Sequence, residues 1–312
     1  MKTRSLGRTD VRLSEITLGT WGLAEQSYGH VSPERFDLVL RAAIDAGVTT
    51  FDVAPLWGDG EAERHVGRAL AEAKIEAAVI TRAGAQRIDG KLWQSFTSND
   101  LIADCDASLA RLGRDHVDVW LLHAPGEDVI RREEWREAVD RLEESGKILA
   151  WGVSAGDAAE ARMAITAGAQ AICLPYHLLL PHEVEDLATD IARAGCGVLV
   201  RSPLAHGLLA GQWTASRVFA AADHRARRWS QQAFETRLRQ VEALRFLVGA
   251  DHNDLATAAL RFVLTHPAVT TAMVGARSPA QVISAVEAAS GPPFLSDDDV
   301  LRLAKVRDSA AI

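Results

Sequence analysis

The sequence lacks the features that would tie it to a disulfide frame, a metal, a membrane or a nucleic acid. Of its 312 residues only three are cysteine, Cys105, Cys173 and Cys196. They stand far apart with no paired spacing, which argues against a disulfide frame or zinc cluster and for a reducing compartment, with burial as their default fate. The ten histidines include no HExxH or similar pair on one helical face, so no metal cofactor is expected. Nowhere do about 18 uninterrupted apolar residues occur, the length a spanning helix needs. The start, MKTRSLGRTDVRLSEI, has early positive charge but no continuous apolar stretch of the kind a signal peptide carries. A soluble, cytoplasmic protein with no membrane partner is the expectation. Its 34 basic and 42 acidic residues give a net charge of −8 and form no basic tail or stripe, which points away from nucleic acid.

What is present is a regular alternation of short apolar runs and longer amphipathic stretches. The 48% hydrophobic content is enough for a large core. Eight strands are expected at ITLG (16–19), TTFDVA (49–54), AAVITRA (77–83), VDVWLLH (117–123), ILAWGVS (148–154), AICLPYH (171–177), GVLVRSP (197–203) and TTAMVG (270–275). Helical segments lie between them. In SPERFDLVLRAAIDAG, Ser32 can cap, Pro33 suits the first turn and Gly47 closes the far end. REEWREAVDRLEESG reads as one helix, and AQRIDGKLWQSFTSND as a loop after the third strand. Eight strand and helix pairs match a (β/α)₈ TIM barrel spanning one domain, residues 1–312. A doubly wound sheet is weaker, because no GxGxxG follows the first strand. Two decorations stand outside the repeat. Residues 4–16 read as a hairpin that could plug the barrel floor. The stretch 204–253 is longer than a strand-to-helix connection needs, contains an added helix, and belongs over a ligand.

In such a barrel the chemistry sits at the C-terminal ends of the strands. Those ends carry Asp52, Arg82, His123, Ser154, Tyr176, His177 and Arg201. Taken singly each has an ordinary structural reading: Asp52 as an ion-pair partner, His123 as a satisfied core histidine, Arg82 as a loop anchor. Their convergence on one face is what points to a site.

LGTWG (18–22), FDVAPLWGDGEAERHVGRAL (51–70), LLHAP (121–125), GKILAWGVS (146–154), SPLAHGLLAG (202–211) and VGARSPAQV (274–282) together resemble the aldo-keto reductases, in that family's order and over essentially the whole chain. The resemblance implies a barrel that binds NADP(H) across its C-terminal face and passes hydride to or from a carbonyl or alcohol. It also implies an Asp, Tyr, Lys and His tetrad. Asp52 and His123 match the acid and the histidine. The tyrosine position holds Trp57, and the lysine position holds Arg82. An indole N–H donates hydrogen bonds but is no acid near neutrality, and a guanidinium stays charged. Among the four, His123 is the group expected to exchange a proton near pH 7.

The resemblance places the nicotinamide against Ser154, Ala155, Cys173 and Arg201, where the family's usual asparagine and glutamine are missing at 155 and 173. It places the pyrophosphate under Ser202, Pro203, Leu204, Gly207, Leu208 and Gly211. Gly275, Arg277 and Gln281 match positions around the 2′-phosphate at a helix start, where anions are favoured. The adenine contacts expected at 284 and 285 are Ser284 and Ala285. Trp21, Trp57, Trp93, Trp120 and Tyr176 are candidates for the substrate space, with Trp93 as a pocket wall. The implied partner is an uncharged or anionic small molecule, with Arg82 and Arg201 available for a negative group. Three functions remain open: an NADP(H)-dependent oxidoreductase whose proton comes from His123, from water or from the substrate itself, or whose substrate, such as an imine or activated alkene, needs no tyrosine-type acid; a non-redox enzyme using His123 with Asp52 for elimination, cyclisation or isomerisation; and a noncatalytic binding protein. The oligomeric state is left open.

Overall fold

The computed structural model describes residues 1–249, 252–291 and 295–310. Residues 250 and 251 of the long 204–253 segment, and the last two of the expected domain, lie outside the described residues. Eight parallel strands close into a barrel in sequence order: β1 (Ile16–Gly19), β2 (Thr50–Asp52), β3 (Ala78–Ala83), β4 (Val119–His123), β5 (Trp151–Ser154), β6 (Ala171–Pro175), β7 (Gly197–Arg201) and β8 (Val269–Val274). Each expected strand is found, most of them trimmed by a few residues.

The strand period of two sorts the side chains. Ile80, Leu121, Cys173, Leu199 and Met273 point into the barrel and are buried together. Their neighbours Val79, Trp120, Leu122, Ile172, Val198 and Val200 point outward, into the larger core shared with the helices. Each large side chain buried this way contributes about 1.5–3 kcal/mol. The hairpin of Thr3–Ser5 and Arg12–Ser14 does plug the floor, for Leu6, Val11 and Leu13 belong to the interior cluster. The fit is close. A Cβ on Gly7, whose φ is +53°, would stand 2.1 Å from the Gly195 carbonyl oxygen.

The helices form the outer ring: α1 (Pro33–Asp45), α2 (Glu61–Ala73), α3 (Ser98–Leu112), α4 (Arg136–Glu144), α5 (Ala158–Thr166), α6 (Ala188–Ala194), α7 (Gln231–Ala243), α8 (Leu255–Thr265), α9 (Pro279–Ser290) and α10 (Asp297–Ala310). Ser32 accepts from the Arg35 amide and so caps α1 as expected. Two readings change. The segment 132–146 is not one helix, because Glu133 turns left-handed at φ +58° and lets Trp135 bury against Trp151, 4.8 Å between rings. The 85–100 segment is not all loop. Ala85–Ile88 pairs with Lys91–Gln94 through a turn at Asp89 and Gly90, both with positive φ. The added helix in the insertion is α7, whereas α10 at the chain's end had no counterpart in the sequence reading.

Candidate active site

Two residues above the interior apolar layer, the same strand faces end in polar groups: Asp52 on β2, Arg82 on β3, His123 on β4, Ser154 on β5 and Arg201 on β7. Strand alternation alone brings them to one mouth. Asp52 and Arg82 are buried and joined, with Arg82 Nη1 donating to the Asp52 carboxylate and, at 3.0 Å, to the Val53 carbonyl. Arg82 Nη2 reaches Cys173 Sγ at 3.8 Å, and Trp57 lays its ring 4.7 Å from the guanidinium carbon. Burial pushes Arg82 down, but Asp52 and Cys173 more than offset it and hold the group above its ordinary value. It is a fixed cation. The buried Arg82 Nε has no partner among the described residues.

His123 is half-buried, and its Nδ1 also lacks a partner. Burial, then Arg82, then Arg201 push the imidazole down to about 3. The expectation of a histidine that titrates near neutrality therefore does not hold in this site. At physiological pH His123 is a neutral ring that donates from one nitrogen and accepts at the other. The chain after it is strained, with Ala124 at φ +49°. Gln94, at the end of the hairpin, donates to the carbonyls of His123 at 3.4 Å and Ala124 at 3.3 Å.

The expected cofactor groove runs from Ser154 to Arg277. Ser154 is buried in register with Cys173, and Arg201 donates to the Ala155 carbonyl at 3.1 Å. In the loop after β7, Ser202, Ala205 and His206 are non-glycine residues with φ of +55°, +48° and +58°. Such conformations cost about 1–3 kcal/mol each and persist only where the surroundings impose them. Pro203 and Leu208 bury their side chains while Leu204 is half-buried, so the first two could meet a ligand only through backbone. Gly207, at φ +96°, and Gly211, at +69°, make the turns. Arg277 donates to the carbonyls of Tyr28 and Gly29, both at 3.2 Å, and Gln281 accepts from the Arg277 amide at 2.7 Å. Gly275 lies exposed beside them, Ser284 is exposed, and Ala285 is buried in the core.

The 204–253 stretch, expected over a ligand, joins an aromatic cluster with Trp21 and Tyr28 that the sequence alone did not link to it. Trp21 meets Tyr28 at 5.3 Å and His224 at 4.8 Å, and His206 meets His224 at 5.2 Å. Arg225 holds Asp223 with two nitrogens and stacks 4.4 Å from the Tyr28 ring. Among the described residues His224 Nε2 and Arg277 Nε, both buried, have no partner. The only sequence signal was the cationic run DHRARR in an overlong connection.

Two substrate candidates are misplaced. Tyr176 is 2% exposed, with its hydroxyl 3.5 Å from Glu185 and its ring on Phe262 and His266. It belongs to the packing between barrel and outer helices, because it lies just beyond the end of β6, where parity turns it outward. Trp120 faces outward for the same reason. Trp93 is exposed on the hairpin face that carries Gln86, whose amide bonds Asp104 on α3. His177 stays at the mouth, its Nδ1 accepting from the Leu179 amide at 3.2 Å. Among the described residues no group of three or more His, Cys, Asp or Glu could hold a metal ion, and no helix is long and apolar enough to cross a membrane.

The fold is a closed parallel barrel that carries Asp52, Arg82, Trp57 and His123 at its C-terminal mouth, beside a strained glycine-bearing loop. Residues 15–308 match the Aldo/keto reductase family, and the chain belongs to it. Aldo-keto reductase YhdN of Bacillus subtilis is 28% identical, over 96% of this chain and 91% of the relative. A glycerol dehydrogenase from Gluconobacter oxydans superimposes with a TM-score of 0.85 at 26% identity, covering 99% of this chain and 95% of that one. The holo form of an aldo-keto reductase from Bacillus halodurans gives 0.82 at 25% identity, covering 98% and 96%. The chain is an oxidoreductase of the aldo-keto reductase type.

Proposed function

We propose that this protein is an NADP(H)-dependent oxidoreductase whose altered tetrad acts on a specialised small molecule, a carbonyl or alcohol, an imine or an activated alkene. The observation that carries the reading is the packing of Arg82 on Asp52 and Trp57, with His123 at the end of the neighbouring strand, next to a groove with unpartnered buried nitrogens. The groove suits a dinucleotide. Arg277 Nε and His224 Nε2 are donors or acceptors in want of a partner, and α9 starts beside Arg277, where an anion is favoured. Arg277 and Gln281 would hold the 2′-phosphate, the backbone of 202–211 the pyrophosphate, and Ser154 and Arg201 the nicotinamide. The bound cofactor supplies or accepts the hydride.

The chain's own residues do the rest. Asp52 fixes Arg82, and Arg82 presents a permanent positive charge without a proton to give. His123 donates to the substrate oxygen as neutral imidazole and orients the water from which the reduced product takes its proton. Trp57 supplies a flat wall and one indole donor. Trp21 and the hairpin with Trp93 border the same space. Three buried, unpaired thiols suit a cytoplasmic place of work.

The test is absorbance of NADPH during turnover across small aldehydes, ketones, imines and activated alkenes. Substrate-dependent oxidation of NADPH supports the reading. Turnover without it gives the site to non-redox acid–base chemistry, and no turnover gives it to binding. NADPH should bind more tightly than NADH, with Arg277→Ala narrowing the gap, because a charge-assisted contact to the extra phosphate contributes about 1.5–3 kcal/mol. Equal affinities in calorimetry would remove the NADP(H) assignment.

A further inference from the structure

A hydrogen-bonding imidazole is usually aimed through its second nitrogen, which donates to a carboxylate or a carbonyl. In this site His123 Nδ1 is buried and has no such partner among the described residues. The aim of the ring therefore falls to the backbone that carries it. Along β4 the amides of Trp120 and Ala124 donate toward β5, to the Ala150 and Ser154 carbonyls at 2.9 and 3.1 Å. Strand alternation then turns the His123 carbonyl toward β3. That strand has ended: its pairing stops with Ala83 opposite Leu122, and the Gly84 amide turns away to Asp104 at 2.9 Å. The side-chain amide of Gln94 takes up the vacant side, donating to the carbonyls of His123 at 3.4 Å and Ala124 at 3.3 Å. Ala124 is the strained residue, left-handed at φ +49°. Gln94 is itself held in place. Next to it the Ser95 amide donates to the Gly84 carbonyl at 3.1 Å, and on the opposite hairpin face Gln86 is tied to Asp104 on α3.

We propose that Gln94 is a positioning residue for His123: its amide clamps the two carbonyls of the strained turn and so fixes where the imidazole points. One side-chain NH2 carries two hydrogens, enough for both carbonyls. The contacts, 3.3 and 3.4 Å, are at the long end for hydrogen bonds, as contacts of this kind commonly are before a ligand loads the site. A displacement of about 1 Å at an active group can cost about 100-fold in rate, so a modest clamp has a large kinetic reach. That His123 acts on substrate rests on the oxidoreductase reading, whereas the aim of its ring can be measured without turnover.

The experiment records the ring signals of isotope-labelled histidines by NMR in the full-length protein, free and NADPH-saturated, with His123→Phe assigning the His123 signal. In Gln94→Ala, and in Gln94→Glu, which keeps the length but has no N–H to give, that signal should shift or broaden while those of His65 and His116 hold. Lys91→Ala, an exposed change on the same hairpin, should leave it in place. With the panel member that turns over fastest, kcat should fall about tenfold or more in both Gln94 variants, while KM changes less than about threefold. NADPH affinity should stay within about twofold and Tm within about 2 °C, as for a surface substitution. An unmoved His123 signal, or a kcat within about twofold of the parent, would overturn the proposal. So would a parallel loss of NADPH affinity, which would give Gln94 to the cofactor, or a larger fall in Tm, which would make it a general prop of the fold. If no panel member oxidises NADPH, the oxidoreductase reading fails by itself, and the ring signal still decides this one.

Discussion

In the proposed reading Trp57 and Arg82 stand in place of a proton donor and its ammonium partner, and the two are packed together, with the guanidinium between Asp52 and the indole. Residues merely released from selection would not be expected to stack and pair so completely. Trp57→Tyr with Arg82→Lys is therefore expected to yield little reduction of simple aldehydes and to lower the native activity by about tenfold or more, roughly 1.4 kcal/mol. Lysine loses the fork that reaches Val53 and Cys173. NADPH consumption with a panel of small aldehydes measures it, and strong aldehyde reduction by the double variant would show decayed rather than adapted positions. His123→Phe should abolish most turnover by removing the hydrogen bond to the substrate oxygen, about 100-fold or more. Cys173→Ala should be mild, since its sulfur is only a weak acceptor at 3.8 Å. Unchanged rates in the histidine variant would place the active group elsewhere.

At the scale of elements, the hairpin 85–94 is the piece whose position matters and whose signal was overlooked. Asp-Gly flanked by strand-like residues is a strong mark of a tight hairpin turn, and here both central residues have positive φ. Taken only as the connection that follows the third strand, the run passes for a loop. The hairpin ties itself to the ends of neighbouring strands: Gln94 to the carbonyls of His123 and Ala124, and Arg87 to Asp59 at 3.8 Å. Gly90→Val puts a β-branched residue at φ +75° and should cost about 1–2 kcal/mol or more locally. The expected result is faster amide exchange in 85–94 and a raised KM, with global stability little changed. Exchange unaltered in this segment would mean the turn tolerates the change and does not hold the hairpin in place.

For the whole molecule, the floor and the mouth make opposite demands. The floor is apolar and tight. Leu13→Ala should lower unfolding free energy by about 2–5 kcal/mol in denaturant titration, because the plug leaves a cavity that the rigid barrel cannot close. A loss under about 1 kcal/mol would mean the hairpin is dispensable. The mouth buries neutral histidines: His123, His177 and His206 are all held down to about 3, burial being the largest cause of each. A folded value below the unfolded value of about 6.5 means the unfolded chain binds more protons between the two. Stability contributed by these rings is thus complete above about 6.5 and is lost as pH falls toward about 3. The melting temperature should decline below about pH 6.5, before ordinary carboxylates of about 4 titrate. His177→Gln should flatten that decline, and a wild-type curve level from pH 7 to 5 would contradict it.

The sequence alone determined the barrel, because strand periodicity and helix signals recur eight times and depend only on neighbouring residues. It also determined which residue types stand at the strand ends, including Asp52, Arg82, His123 and Arg201. The orientation of Tyr176 was legible too and was overlooked: it shares the parity of the outward Ile172 and Leu174, not that of the inward Cys173. The sequence could not give the ionisation of His123, which depends on burial and on two arginines distant in sequence. The left-handed turn that breaks 132–146, and the cluster joining Trp21 and Tyr28 to His224 and Arg225, were likewise decided only in three dimensions. Periodicity is local, whereas electrostatic environment and close packing are sums over residues that only the closed fold brings together.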